Sequence, residues 1–340
     1  MDTTVQLSND THYVIPALTS EKQRRVLLQQ YAFKKRSYGW TYAVPDYLDL
    51  TEVHDVLDIA AGSCAWTLDF ADMPAVKPRL STQNGDTVDA NKDTSIRIFI
   101  CDIDTKFFPA KEVLNQIGVE AFEQDVTKPF QEDLYGKFDL VHISMVALCL
   151  TQSSWTEALK NCYQLLRPGG MLMTDEIDPI IYTPLMPPPT EDAPGHDLDR
   201  CMSGNEWVHK ANRIYTGWAL HKGFVVDLTF RLPALLTDAG FEVVQSQRAV
   251  GKYGKIYDLK DPSSDGTLNL KDFTVENFIF IFDYFSAALM QAGGLEGEKG
   301  VKVTDETQRK SILKEIQDGF NADGAMSLGR FFLAVKPKTT

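Results

Sequence analysis

Short apolar runs alternate with longer amphipathic segments along the first half of the chain. The apolar runs predict strands at residues 56–59, 96–101, 119–122, 138–144 and 171–174. The segments between them have helical character, most clearly at residues 65–71 and 155–166, and the second ends at Arg167-Pro168-Gly169-Gly170. Short strands separated by helices predict an α/β fold with a doubly wound, largely parallel sheet.

The pattern differs outside this region. A polar helix is expected at residues 20–38, and the polar stretch 74–95 is expected to be an inserted surface loop. Residues 178–205 are rich in proline and glycine, which is typical of an irregular lid or binding loop. Beyond it the pattern predicts further elements, which are helices at 206–222 and 228–239, a strand at 241–246, helical decoration over 252–328 and a last strand at 330–335.

Composition narrows the classes of partner. The chain has 340 residues and a net charge of −13, which disfavours nucleic acid and a basic membrane-binding face. Five scattered cysteines without a CxxC pair favour reduced thiols and a cytoplasmic location over a disulfide framework or a zinc site. The first ten residues are polar and acidic and do not resemble a secretory signal. The apolar segment 273–290 contains two acids and is predicted to pack in the core rather than span a membrane, although covering the active site or forming a homodimer contact stays open.

The clearest local motif is VLDIAAGSCAW at residues 56–66. A strand ends in Asp58, a turn of small residues follows, and a helix begins, so backbone N–H groups face a ligand at the carboxyl ends of the strands. Any strand-to-helix turn favours small residues, which is the plainer interpretation. Ala60 and Cys64 stand where glycines are usual: Ala60 is expected to restrict positive φ, and Cys64 to narrow the ligand space. The missing glycines also argue against a nicotinamide dinucleotide.

Acids follow two further strands. Asp102 ends the second strand in ICDID and can accept hydrogen bonds from ribose hydroxyls, although Asp104 competes for that role. Asp125 follows the third strand in FEQDV and can accept from an adenine amino group, with the Val126 N–H beside it. Either acid alone is equally consistent with a solvated loop. Acids at the ends of three successive strands together indicate a nucleoside site.

This series of motifs, continued by KFDLVHISMV and LLRPGGMLMTDE, resembles that of class I S-adenosylmethionine-dependent methyltransferases over residues 21–176. Trp66 followed by DFAD, the helix with Glu21, Arg25 and Gln29, and the terminal RFFLAVKPK are similar to fungal secondary-metabolism methyltransferases, including the regulator type. The resemblance implies a Rossmann-like, seven-stranded mixed sheet with helical lid insertions. The last strand would insert antiparallel beside the fifth.

The resemblance also implies a cofactor, S-adenosylmethionine, with S-adenosylhomocysteine as product. The backbone around Ala60 and Gly62 would hold the methionine moiety, Asp102 the ribose, and Asp125 with Val126 the adenine. The implied cofactor site is completed by residues beside these and after the fourth strand, namely Asp58, Ile103, His142, Ser144 and Met145. Four segments follow: a helical lid at 1–45, the cofactor-binding core at 46–177, a substrate lid at 178–230, and the remaining sheet with a helical insertion at 231–340.

Candidate catalytic residues are His142, His209 and Glu176. A base assists when the acceptor is a hydroxyl, and an imidazole or a carboxylate can serve. Trp207, Tyr215 and His221 lie on the same predicted helix as His209 and are candidates for binding the substrate. That helix is equally consistent with simple packing, and His142 with a structural role. The acids at 175, 176 and 178 are expected to be solvated, and no metal site is expected.

Three functions remain open from the sequence. The first is methyl transfer to an oxygen, nitrogen or sulfur of a small natural-product molecule. The second is a non-methylating cyclisation or rearrangement that uses the bound cofactor, which the altered glycines leave open. The third is a non-enzymatic regulatory protein that uses the fold for interaction.

Overall fold

Seven strands form one mixed sheet in the computed structural model, which describes residues 20–80, 94–258, 270–297 and 300–338. The strands are β1 Asp55–Ile59, β2 Arg97–Asp102, β3 Val119–Glu123, β4 Phe138–Ser144, β5 Leu166–Ile177, β6 Glu242–Tyr253 and β7 Ala325–Val335. Their order across the sheet is β3-β2-β1-β4-β5-β7-β6, and β7 runs antiparallel to both β5 and β6. The predicted mixed sheet with an antiparallel last strand is confirmed.

Nine helices surround the sheet in the described part of the chain. They are α1 Ser20–Ser37, α2 Ala65–Ala71, α3 Lys111–Gln116, α4 Gln152–Leu165, α5 Leu198–Met202, α6 Trp207–His221, α7 Leu228–Asp238, α8 Leu270–Gln291 and α9 Glu306–Ala322. The helices predicted at 65–71 and 155–166 agree with α2 and α4 to within a few residues, because strongly periodic segments bury one face.

Both faces of the central strands are buried. Leu57 and Ile59 of β1 join a cluster with Trp155 of α4, while Val56 faces the opposite cluster, which includes Phe70 of α2. Such burial on both sides explains why β1 and β4 are nearly continuous apolar runs. The carboxyl ends of these strands therefore emerge from a rigid core, and that is where a ligand site is expected.

A third cluster lies among α6, α8 and α9. Trp218 of α6 stacks on Phe285 of α8 with ring centroids 3.8 Å apart, and Phe320 of α9 is fully buried beside them. Helix α8 is long and apolar enough to cross a membrane by length and composition, but 50% of its most apolar window is buried inside the protein. The core packing predicted for this segment is therefore what the structure shows.

Three strands are longer than predicted. Strand β5 starts at Leu166, so Arg167-Pro168-Gly169-Gly170 lies within the strand. Those glycines pair with the chain beyond β7, because Gly169 N donates to Lys336 O and Lys336 N donates to Gly170 O. Strands β6 and β7 extend to residue 253 and back to residue 325 by pairing with each other. The predicted inserted loop falls largely on residues 81–93, outside the described residues.

Candidate cofactor and substrate site

A cavity of about 290 Å³ opens where β1, β2, β4 and β5 end. Its floor includes all ten residues proposed to hold the cofactor, namely Asp58, Ala60, Gly62, Asp102, Ile103, Asp125, Val126, His142, Ser144 and Met145. Helices α1 and α8 cover the opposite side with residues such as Tyr31, Lys34 and Phe278. The topology thus brings the residues of five separate motifs into one cavity.

The loop after β1 takes left-handed backbone conformations at three alternate residues. Ala60 has φ 56°, Gly62 has φ 54° and Cys64 has φ 61°. Ala60 adopts positive φ although its Cβ disfavours it, because the surrounding loop holds this residue in the conformation that a glycine would adopt. Cys64 is fully buried and is not among the residues that line the cavity, so its expected narrowing of the ligand space is wrong.

Asp102 is fixed against that loop. One carboxylate oxygen accepts from Gly62 N at 2.9 Å and the other from Asp104 N at 3.1 Å. Burial raises the pKa of this carboxyl, and the backbone N–H groups oppose the shift. Asp104 itself accepts from Lys106 N and begins the next turn, so the geometry favours Asp102 as the acid that accepts hydrogen bonds from a ligand.

Asp125 begins a tight turn at the end of β3. Its Oδ1 accepts from the N–H and the hydroxyl of Thr127, at 2.9 Å and 2.7 Å. This local bonding orients the carboxylate, and both Asp125 and Val126 line the cavity. The three strand-end acids therefore converge on one cavity, and each has defined partners in the structure.

His142 is held from two sides. Its Nδ1 lies 2.7 Å from Asp58 Oδ1, and its ring stacks on Trp66 with centroids 4.1 Å apart. Thr67 donates its hydroxyl to the other oxygen of Asp58 at 2.5 Å. The imidazole is 4% exposed, so it is a fixed part of the cavity floor.

Glu176 is a second buried acid at the cavity, and the expectation that the acids at 175, 176 and 178 are solvated is wrong, because all three are buried. Its carboxylate oxygens accept from Val146 N at 3.0 Å and Ala147 N at 2.9 Å, so it holds the loop that follows β4. Burial raises its pKa to about 8, against the lowering effect of these hydrogen bonds. Met145, in the same loop, has φ 61°, a strained conformation for a side chain of this size.

Sequence reasoning missed Lys34 of α1. Its Nζ donates to Ser144 Oγ at 2.7 Å and to Asp175 Oδ2 at 2.9 Å, and the residue is only 3% exposed. Leu27, Tyr31 and Lys34 share one face of α1 at helical spacing, and all three line the cavity. The spacing was a usable signal, but the burial of a lysine followed only from the position of α1 over the strand ends.

The predicted substrate residues are only partly brought together. Tyr215 of α6 lines the cavity, whereas Trp207, His209 and His221 lie outside its lining. Trp207 packs against α9 and donates to Asp323 at 2.8 Å, and His221 is exposed at the end of α6. The catalytic role expected for His209 therefore has no support in the geometry.

Helix α8 occupies the place expected of the 178–230 segment. Phe273, Thr274, Asn277, Phe278 and Ile281 line the cavity, whereas Tyr215 is the one lining residue from 178–230 in the described chain. The physical reason is that 178–230 packs on its own partners. Asp178 accepts from Thr229 N at 3.0 Å, and Asn212 holds the backbone of Ile181. Of the two segments expected to form a lid, the first lines the cavity through α1, and α8 lines it where the second was expected.

The residues present fit S-adenosylmethionine. Asp102 and Asp125 are oriented carboxylates that retain acceptor capacity for ribose hydroxyls and an amino group. The left-handed loop from Ala60 to Cys64 allows a close approach to its backbone, as a methionine moiety requires. His142, Ser144 and Met145 would line the side of the sulfonium.

Two comparisons with known proteins match part of the chain. A methyltransferase domain family model matches residues 80–172. The methyltransferase grgD of a Penicillium species is 42% identical over 62 residues, which span 17% of this chain and 22% of that protein. The aligned part of the chain therefore spans about a fifth of the curated relative's length.

Solved structures are similar to the chain only at low identity and with TM-scores below 0.5. The [4+2]-cyclase SpnF has TM-score 0.42 and 14% identity, with 96% of this chain and 100% of that one covered. Phosphoethanolamine N-methyltransferase 2 of Haemonchus contortus, in complex with S-adenosyl-L-methionine, has TM-score 0.40 and 13% identity, with 96% and 54% covered. The CMeT domain of the citrinin polyketide synthase has TM-score 0.40 and 10% identity, with 86% and 48% covered.

The domain match and the fungal relative support a class I S-adenosylmethionine-dependent methyltransferase domain in the matched part of the chain. The seven-stranded mixed sheet is consistent with that fold, and the comparisons support S-adenosylmethionine as the cofactor.

Proposed function

We propose that the protein transfers the methyl group of S-adenosylmethionine to an oxygen, nitrogen or sulfur atom of a small natural-product molecule. One observation carries this proposal. The cavity that contains the strand-end acids is also lined by residues of α1, α6 and α8, and we call this part of its lining the second compartment. A cofactor at the strand ends and an acceptor against these helices would therefore share one cavity.

The second compartment has aromatic walls. Phe33, Tyr215, Tyr253 and Phe278 line it, and the Tyr253 ring packs edge-on against Phe278 with centroids 4.8 Å apart. Aromatic walls bury apolar surface and favour flat ligands with a few polar groups. This supports a planar, apolar acceptor rather than a nucleic acid or a peptide chain.

The cofactor supplies an electrophilic methyl group on a sulfonium. The chain's own contribution is alignment, because methyl transfer depends on bringing the acceptor atom into line. Glu176 holds the loop after β4, and Asp58 with Trp66 fixes His142. Helices α1 and α8 line the side of the cavity opposite the strand ends.

The net charge of the chain indicates which classes of partner it meets. A net charge of −13 repels polyanions and the anionic surface of a membrane. We therefore propose a small-molecule acceptor in the cytoplasm and no nucleic-acid partner.

The test follows a labelled methyl group. Purified protein is incubated with methyl-labelled S-adenosylmethionine and a panel of hydroxylated aromatic metabolites, and the products are separated by chromatography. We expect label in a product and one S-adenosylhomocysteine for each product molecule. An Asp102→Asn variant, which weakens the ribose acceptor, should lose at least tenfold in rate.

Two outcomes contradict methyl transfer. Product that forms while S-adenosylmethionine is undiminished would show a non-methylating rearrangement. A protein that binds cofactor, methylates none of the panel and co-purifies from its native source with a protein partner would show the regulatory alternative.

A further inference from the structure

We propose that Lys34 and Ser144 bind the oxygen of the acceptor, and that the acceptor is an otherwise uncharged aromatic molecule whose hydroxyl ionises in this site. The inference rests on the proposed function, because it places the acceptor in the same cavity. It adds the class of acceptor and the residues that select it.

The ammonium group of Lys34 retains donor capacity. Of its three N–H bonds, one is directed to Ser144 Oγ at 2.7 Å and one to Asp175 Oδ2 at 2.9 Å. Ser144 accepts from the ammonium, so its own hydroxyl proton is available to another acceptor. Lys34 and Ser144 line the cavity, whereas Asp175 lies behind them and is not part of the lining.

Positive charge is scarce in this cavity. Among the described residues that line it, Lys34 is the one lysine or arginine. An anionic atom therefore has one cationic partner there. The Lys34 ammonium also lies 5.6 Å from the centre of the Tyr31 ring, within range of a cation–π contact.

The neighbouring acids do not cancel the positive charge that Lys34 presents to the cavity. Asp58 is bonded to His142 and Thr67, and His142 Nε2 lies 4.0 Å from Asp175 Oδ2. Burial raises the pKa of Glu176 to about 8, so this carboxyl is mostly uncharged at neutral pH. Asp175 anchors the ammonium from the protein side, which leaves the cavity side facing a ligand.

Ionisation of the acceptor hydroxyl breaks one bond and releases one proton. The O–H bond breaks, its electron pair stays on oxygen, and the proton passes to solvent as the molecule binds. The oxygen then carries the electron pair that attacks a methyl group. A phenolic hydroxyl has a pKa of about 10 in water, so one cationic donor can lower that pKa toward the neutral pH range. The pKa of an alkyl alcohol lies far above this range.

The remainder of the acceptor must be uncharged. Beyond Lys34 the compartment is walled by Phe33, Tyr253, Phe278 and Ile281, with Gln30 and Asn277 as neutral polar groups. A carboxylate or a phosphate on the far side of the ring would meet aromatic walls without a described counter-charge. Burying such an unpaired charge is expensive, so acceptors that carry one are rejected.

The test uses 4-nitrophenol, whose phenolate is yellow and whose neutral form is not. The full-length protein is saturated with S-adenosylhomocysteine, and 4-nitrophenol is titrated at a pH at which the free compound is mostly neutral. We expect the phenolate band to grow with protein concentration, which corresponds to a downward pKa shift of at least about one unit on binding. Lys34→Met should abolish the band, and Lys34→Arg should keep most of it.

Lys35→Met is the matched control. It removes the same charge from the next residue of α1, but Lys35 pairs with Asp69 and does not line the cavity. The band should persist in this variant. Calorimetric titration with S-adenosylhomocysteine is run on each protein, and Lys34→Met should bind it within about threefold of the wild type.

Three results overturn the inference. The phenolate band does not form in the wild type; or it forms equally in Lys34→Met; or Lys34→Met loses tenfold or more in S-adenosylhomocysteine affinity, which would assign Lys34 to the cofactor. Failure of S-adenosylhomocysteine to bind any of the proteins is a different result, because it contradicts the proposed function itself.

Discussion

The loop after β1 shows how single residues store strain at a ligand site. Ala60 and Cys64 adopt positive φ although both carry a Cβ, and such conformations cost roughly 1–2 kcal/mol each. The fold maintains them because Asp102 holds Gly62 N, and Ala61 N donates to Cys101 O at 3.1 Å. The backbone shape of a glycine-rich loop is thus kept without its glycines.

Replacing Ala60 with glycine should relieve that strain. Relief of about 1–2 kcal/mol is partly offset by 0.5–1 kcal/mol of extra chain entropy in the unfolded state. We expect Ala60→Gly to raise the free energy of unfolding by about 0.5–1 kcal/mol, measured by urea denaturation. The control is Ala61→Gly, at a neighbouring residue without positive φ, which should lower it by a similar amount. Equal destabilisation by both variants would contradict the account.

Glu176 should make stability depend on pH. Its pKa rises from 4.5 in the unfolded chain to about 8 in the fold, so the native state holds more protons between these values. Its contribution is fully present below about pH 4.5 and is lost as pH rises through 8, on the order of 3–5 kcal/mol in all. Urea denaturation from pH 5 to 8 should show this fall, and Glu176→Gln should flatten it. The exposed control Glu157→Gln should keep the wild-type slope, and an unchanged slope in Glu176→Gln would refute the assignment.

Residue roles were predictable where they follow a motif. Asp102 and Asp125 were identified because an acid that directly follows a strand of a parallel sheet lies at the carboxyl edge of that sheet, where ligands bind. Lys34 was not, since its role depends on how α1 and the loop after β4 approach each other in space. His209 was a candidate because an imidazole can act as a base, but α6 directs a different face, with Tyr215, toward the cavity.

At the scale of elements, α1 acts as a cover attached at defined points. Tyr31 and Lys35 both donate to Asp69 Oδ2 of α2, at 2.5 Å and 2.7 Å. Arg24 donates to the backbone carbonyls of Phe107 and Phe108. These contacts join α1 to α2, which follows the loop after β1, and to the turn that follows Asp102.

Removing the shared acceptor should loosen this cover. Asp69→Asn weakens two hydrogen bonds to charged or phenolic donors, at a cost of about 1–2 kcal/mol. We expect amide exchange in α1 to accelerate roughly tenfold while exchange in the central strands is unchanged. The control is Asp72→Asn, which removes an exposed pair with Lys77 and should leave α1 as it is. Unaltered exchange in α1 of the Asp69 variant would show that packing alone holds the helix.

Element type was easier to predict than element length or partner. Strands β1 and β4 were evident because both of their faces are buried and their sequences are continuously apolar. Strands β6 and β7 were predicted too short, since much of β6 is exposed and its sequence is mostly polar. Helix α8 was recognised as apolar, but an apolar helix does not reveal which of its faces lines a cavity.

At the scale of the molecule, the sheet and the helical cluster each supply one wall of the same cavity. The sheet contributes the strand-end acids, and α1 and α8 contribute aromatic residues of the lining. This division explains why the motifs predict the cofactor end. The acceptor end depends on helices whose packing is specific to this chain.

The most direct test of the account is calorimetric titration of the protein with S-adenosylmethionine and S-adenosylhomocysteine. We expect Kd values on the order of 1–10 μM for the wild type. Gly62→Arg should bind at least a hundredfold more weakly, because φ 54° disfavours a residue with a Cβ and because the long side chain would extend from a position in the cavity lining. Gly136→Arg imposes a similar positive φ, 65°, in open space away from the cavity, and should bind like the wild type. A wild-type protein that binds neither ligand, or a Gly62→Arg variant that binds both normally, would contradict the account.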